Sequence, residues 1–137
     1  MALRLLHMLT LWFLLAVTGL VQAVPVIQTT SGKLQGKAVS NITNAYLGIP
    51  YAQPPIGPRR FLAPKPLLTP SVVRNTTEFG ISCIQLGSNP PDPSPAGEDC
   101  LTINVWTSSP SHIKLKPVLL WIYGGGWNSG QSGSART

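Results

Sequence analysis

The chain has 137 residues, of which only 10% are charged, against roughly 25% in an ordinary soluble domain. Its 14 prolines and 13 glycines make up about a fifth of the chain, where average usage is near ~12%. With 43% hydrophobic residues, this excludes a coiled coil, a helical bundle and a disordered charged tail, and the length allows one domain at most.

The first segment reads as a leader. Arg4 and His7 precede an apolar run over residues 9–21, and Val21-Gln22-Ala23 offers small or branched residues where a signal peptidase inspects. This layout predicts a secretory signal peptide over residues 1–23, cleaved after Ala23. The uncharged stretch over residues 5–22 is marginal for a span needing ~20 residues, and no basic stop-transfer cluster follows, so no stable membrane span is expected. Residues 24–137 would form the mature, secreted chain.

Secretion gives the cysteines a meaning. Cys83 and Cys100 are expected to pair in an oxidising compartment, closing a short loop worth about 3 kcal/mol in the chain-entropy model. Two cysteines and isolated histidines make no metal-ligand cluster, so no metal is expected. Asn41-Ile42-Thr43 and Asn75-Thr76-Thr77 are both glycosylation sequons. The basic residues are scattered, with no block of five and no interleaved aromatics to stack on bases. Nucleic acid is therefore not an expected partner.

Val26-Ile27-Gln28-Thr29-Thr30 and Lys33-Leu34-Gln35-Gly36-Lys37-Ala38-Val39 read as two strands of a hairpin joined at Ser31-Gly32. A third strand is predicted over residues 44–51. Pro54-Pro55-Ile56-Gly57-Pro58 is expected to be neither helix nor central strand. Pro64, Pro66 and Pro70 keep the next stretch irregular, and the span from Cys83 to Cys100 reads as loop. Leu101-Thr102-Ile103-Asn104-Val105-Trp106 alternates apolar and polar, as a half-buried strand does. Pro117-Val118-Leu119-Leu120-Trp121-Ile122-Tyr123 is continuous and apolar, the pattern of a strand covered on both faces. That makes about five strands and no convincing helix.

The apolar run stops at Gly124-Gly125-Gly126. Three glycines after a strand can be a flexible linker. They also leave an amide row that no side chain blocks, and such a row can stabilise an oxyanion, each donor worth roughly 2.7–4 kcal/mol in a transition state.

Three ordered segments carry a resemblance. Tyr46-Leu47-Gly48-Ile49-Pro50-Tyr51-Ala52-Gln53-Pro54-Pro55-Ile56-Gly57 with Arg60-Phe61 comes first. Gly97-Glu98-Asp99-Cys100-Leu101-Thr102-Ile103-Asn104-Val105-Trp106 follows, and Trp121-Ile122-Tyr123-Gly124-Gly125-Gly126-Trp127 is last. Together they resemble the N-terminal part of the type-B carboxylesterase and lipase family, which includes cholinesterases and secreted fungal lipases. The wording of residues 101–105, and the absence of acidic residues near the first segment, are closer to the fungal esterases and lipases.

The resemblance implies an α/β fold: the N-terminal, mostly β portion of an α/β-hydrolase, incomplete in this chain. It implies that Gly125 and Gly126 are oxyanion donors, one of the two amide sources in that fold. It implies that Cys83 and Cys100 form the family's first disulfide. Arg60 and Glu98 match a structural ion pair, where the alternative for Arg60 is a solvated side chain. Trp127 matches an aromatic position bordering the acyl pocket, where the alternative is core packing. The implied substrate is a carboxylic ester or acylglycerol, and no cofactor is called for.

The departures are equally specific. The family's nucleophile sits in a G-x-S-x-G elbow, which these residues do not contain. The nearest string, Gly130-Gln131-Ser132-Gly133-Ser134, reads as loop. His112 precedes the glycines, whereas the triad base follows the nucleophile in chain order. Glu78, Asp92, Glu98 and Asp99 also precede them. The loop between the cysteines holds no tryptophan to face a quaternary ammonium, so no choline site is expected. These absences predict a truncated gene product or fragment that folds poorly alone, because the apolar run over residues 118–123 would stay uncovered. The function expected of the whole is serine ester hydrolysis through an acyl-enzyme. The alternative is a secreted, non-catalytic esterase-like binding or adhesion module.

Overall fold

The structure, a computed structural model, describes residues 24–68, 71–85, 95–108 and 115–133. The leader, His112, Asp92 and Ser134 lie outside the described residues. The described part is strand-dominated, with eight strands rather than five. Four of the eight are two-residue pairings, too short to leave a periodicity in sequence.

Strands β1 (Val26–Thr29) and β2 (Gly32–Gln35) form the expected antiparallel hairpin, in register from Val26 opposite Gln35 to Thr29 opposite Gly32. The connection is Thr30-Ser31, one residue earlier than predicted. Thr29 explains the shift: its hydroxyl donates to the Gly32 carbonyl at 2.8 Å and accepts from the Ser31 N–H at 3.1 Å.

The predicted strand over residues 33–39 is broken at Gly36, which separates β2 from β3 (Lys37–Ala38). Gly36 donates its N–H to the Pro25 carbonyl at 2.8 Å. A Cβ there would stand 2.6 Å from the Tyr46 ring, so the position demands close backbone approach. That approach carries the chain from one sheet into the next.

Strand β4 (Thr43–Pro50) is the centre of the second sheet, antiparallel to β3 and to β8 (Thr102–Ser108). It supplies buried Ala45, Tyr46, Leu47 and Ile49. Tyr46 and Ile49 pack with Leu34 of β2, and Ile27 leans against them. Burial pushes the Tyr46 phenol above its ordinary 10.0. The β4–β8 register slips between Tyr46 and Ile49, where Gly48 sits at φ 62. A Cβ on Gly48 would meet the Glu78 carbonyl at 2.7 Å.

Strand β5 (Arg74–Asn75) adds to β2 in parallel. Next to it, Thr76 stitches the two sheets. Its N–H and hydroxyl both donate to the Gln35 carbonyl at 2.8 Å, and its carbonyl accepts from the Leu47 N–H at 2.7 Å. This is how a threonine only 1% exposed stays satisfied.

Three further expectations are corrected. The proline-rich segment holds one 3-10 turn, Gly57–Arg59, because Pro58 lies in its first turn where no N–H is needed. Within the span from Cys83 to Cys100, β6 (Ser82–Cys83) and β7 (Ala96–Gly97) pair in parallel. In β8 the burial is reversed: Thr102 and Asn104 are half-buried, while Ile103 and Val105 are 46% and 39% exposed.

The largest correction concerns the apolar run. Residues 117–123 form no strand, and Leu119 is 96% exposed. Strand pairing needs a neighbour with free backbone groups, and burial needs a covering layer. Among the described residues, neither stands beside this run.

Candidate functional site

The site is built on the loop that follows this run. Its backbone is unusual at four positions: Gly125 (φ 146), Gly126 (φ 63), Trp127 (φ 70) and Gly130 (φ 123). Glycine makes three of them inexpensive; Trp127 occupies the left-handed region with a bulky side chain, which is uncommon. The Gly125 carbonyl turns inward and accepts from the Asn128 N–H (3.3 Å), the Ser129 N–H (3.1 Å) and the Ser129 hydroxyl (3.0 Å). Among the described residues, the N–H groups of Gly125 and Gly126 have no acceptor. Adjacent amides left free on an exposed turn can donate to an anionic oxygen.

Trp127 is fully exposed. Among the described residues it packs against no core.

Beyond the turn, the chain is tied down. Gln85 Oε1 accepts from the Gly130 N–H at 2.6 Å, and Gln85 Nε2 donates to the Gly130 carbonyl at 3.1 Å. The Ser82 hydroxyl bonds the Gln131 side chain. Asn104 Nδ2 donates to the Ser132 carbonyl at 3.1 Å, while its Oδ1 accepts from the Gly48 N–H at 2.9 Å. These residues were missed in the sequence. Asn104 falls on the polar side of an alternating strand, a pattern that does not mark a tether. Gln85 carries no local signal at all, since its partner is 45 positions away.

A second group flanks the site. Cys83 and Cys100 are disulfide-bonded, with their Cα atoms 5.0 Å apart. Arg60 Nε lies 2.7 Å from Glu98 Oε1, with the two side chains 55% and 37% exposed. The Arg60 guanidinium also stands 5.5 Å from the centroid of the Phe61 ring. The proline-rich segment is thereby held against the disulfide. It is braced internally by Arg59, which donates to the Pro54 carbonyl (2.8 Å) and to Gln53 Oε1 (3.1 Å).

Asn41 and Asn75 are both exposed. Asn41 lies in the turn between β3 and β4; Asn75 Oδ1 accepts from the Thr77 N–H at 3.1 Å. Among the described residues, no three His, Cys, Asp or Glu side chains gather as a metal site would require. Among them, too, no helix is long and apolar enough to cross a membrane.

Comparison with known proteins settles the family. The model of the carboxylesterase family matches residues 23–136. The chain belongs to the carboxylesterase family. This carboxylesterase-family chain is 41% identical over 121 residues to Acetylcholinesterase-1 of Trittame loki, a match covering 79% of the chain and 22% of that relative. It also resembles a solved PNB esterase at 36% identity and a TM-score of 0.67, covering 79% of this chain and 22% of that one. Aspergillus niger EstA matches at 38% identity and a TM-score of 0.54, covering 61% of this chain and 16% of that one. The chain thus spans less than a quarter of the length of each of these relatives. The fold is the N-terminal, strand-dominated portion of the α/β-hydrolase fold.

Proposed function

We propose that this chain carries the oxyanion loop of a secreted serine hydrolase acting on carboxylic esters or acylglycerols. In the complete active site a serine attacks the ester carbonyl, an acyl-enzyme forms and water releases the acid. The amides of Gly125 and Gly126 donate to the oxyanion at each tetrahedral stage, each worth roughly 2.7–4 kcal/mol of transition-state stabilisation. Trp127 borders the acyl pocket. The two exposed sequons, at Asn41 and Asn75, carry glycans. The 137 residues contain no nucleophile elbow, and no acid or base follows the glycines, so by themselves they hydrolyse nothing.

The observation that carries this reading is the pair of free amides at Gly125 and Gly126, in a chain of the carboxylesterase family. The test starts from the transcript. It is sequenced past the codon for Thr137, and both its encoded frame and the 137-residue chain are assayed on p-nitrophenyl esters. A frame that continues into a G-x-S-x-G serine and hydrolyses the ester supports the proposal, with the 137-residue chain inert. An intact long frame without that serine refutes it and favours the non-catalytic binding module.

A further inference from the structure

We propose that Gln85 is a positioning residue for the glycine loop, setting where the Gly125 and Gly126 amides stand through its two-way grip on Gly130. The inference rests on the ester-hydrolase reading only for its kinetic consequence.

The loop between Gly124 and Gly130 closes on itself. The Gly125 carbonyl gathers the Asn128 and Ser129 donors, so the turn is internally stiffened. At its neck Gly130 lies directly against Tyr123, since a Cβ on Gly130 would come within 2.5 Å of that ring. Before Tyr123, the run leading into the loop is little covered among the described residues, with Leu120, Trp121 and Ile122 each about four-fifths exposed. Among the described residues, the side-chain hydrogen bonds that tie the loop to the rest of the fold therefore gather at its exit.

Gln85 is the first anchor met there and grips both backbone groups of one residue. A primary amide has the donor and the acceptor this exchange needs, and only one orientation of the amide satisfies both. The anchor is itself fixed. Gln85 lies two residues past Cys83, which is disulfide-bonded to Cys100 and paired through β6 with β7. The Ser82 and Asn104 contacts act further along, at Gln131 and Ser132.

Two substitutions separate the roles of the two amide atoms. Gln85→Ala removes both. Gln85→Glu keeps an acceptor for the Gly130 N–H but sets a carboxylate against the Gly130 carbonyl. When that carboxyl takes a proton, it regains a donor and mimics the amide.

The first readout is hydrogen–deuterium exchange by mass spectrometry on the protein of the transcript's encoded frame. The Gly130 amide is expected to exchange about tenfold faster in Gln85→Ala, with faster exchange spreading to residues 125–129. The second is ester hydrolysis by the transcript's encoded frame. There Gln85→Ala is expected to lower kcat by about 10–100-fold with KM within about twofold, because mispositioned oxyanion donors are felt in the transition state. Gln85→Glu should match it at neutral pH. Its kcat relative to the unsubstituted protein should recover as the pH falls and the new carboxyl protonates, which a loss of folded protein would not produce. Unchanged Gly130 exchange in Gln85→Ala overturns the proposal, as does an unprotected Gly130 in the unsubstituted chain. So does an unchanged kcat, or a Gln85→Glu deficit that ignores pH. A frame without hydrolysis, but with Gly130 exchange that depends on Gln85, removes the ester-hydrolase reading and leaves the positioning role standing.

Discussion

The segment between Cys83 and Cys100 is held by a covalent bond and, through Arg60 and Glu98, by an ion pair, and their magnitudes differ enough to be separated. The cysteines are 17 positions apart. Closing a loop of that size removes about 3 kcal/mol of chain entropy from the unfolded state. The ion pair is short at 2.7 Å, but its side chains are 55% and 37% exposed, so solvent screens it. An exposed pair of this kind contributes roughly 0.2–1 kcal/mol. Replacing both cysteines by serine should therefore destabilise at least three times as much as Arg60→Ala. With urea slopes of about 1–3 kcal/mol/M, the disulfide loss lowers the midpoint by roughly 1–3 M, and Arg60→Ala by less than about 1 M. The assay is equilibrium urea unfolding followed by tryptophan fluorescence at sub-micromolar concentration. The double-serine variant should also show a steeper slope, since its unfolded chain exposes more surface. Equal midpoints for the two variants would refute the reasoning. So would an Arg60→Ala loss that persists unchanged in high salt, because a screened pair weakens there.

The other perturbations act on different parts of the fold. Gly36→Ala places a methyl group against the Tyr46 ring and should cost about 1–3 kcal/mol, read as a lowered urea midpoint. An unaltered midpoint would mean that the crossover between sheets is looser than it stands here. Leu120→Lys puts a charge in the middle of the exposed apolar run and should reduce self-association, measured by light scattering against concentration. Scattering equal to that of the unsubstituted chain would place the sticky surface elsewhere, with the Ile103 and Val105 face of β8 the next to test.

How much of this was legible in the sequence depended on the range of the forces involved. The hairpin of β1 and β2 and the central strand β4 were readable, because period-two patterning and turn residues are local. The break at Gly36 was not, since it answers to the Tyr46 ring arriving from another strand. The pairing of β6 with β7 was invisible because two residues carry no period. The strand expected over residues 117–123 does not form, because propensity builds no strand without a partner. The glycine loop itself stood out at once. Its anchors did not: Gln85 and Asn104 act through contacts with no trace in local composition.

Strand β8 shows why those anchors matter more than the apolar pattern around them. Its apolar side, with Ile103 and Val105, faces solvent, while its polar side, with Asn104, faces protein. Asn104 joins the β4 bulge at Gly48 to the chain at Ser132, and Gln85 joins the disulfide segment to Gly130. Both tethers run from parts of the fold that are already packed or cross-linked to the exit of the glycine loop. The entrance, over residues 118–122, is largely exposed. A loop tied at its exit is held to the core through those tethers. The exit of the glycine loop is thus tied by side chains upstream of it in the chain, Ser82, Gln85 and Asn104.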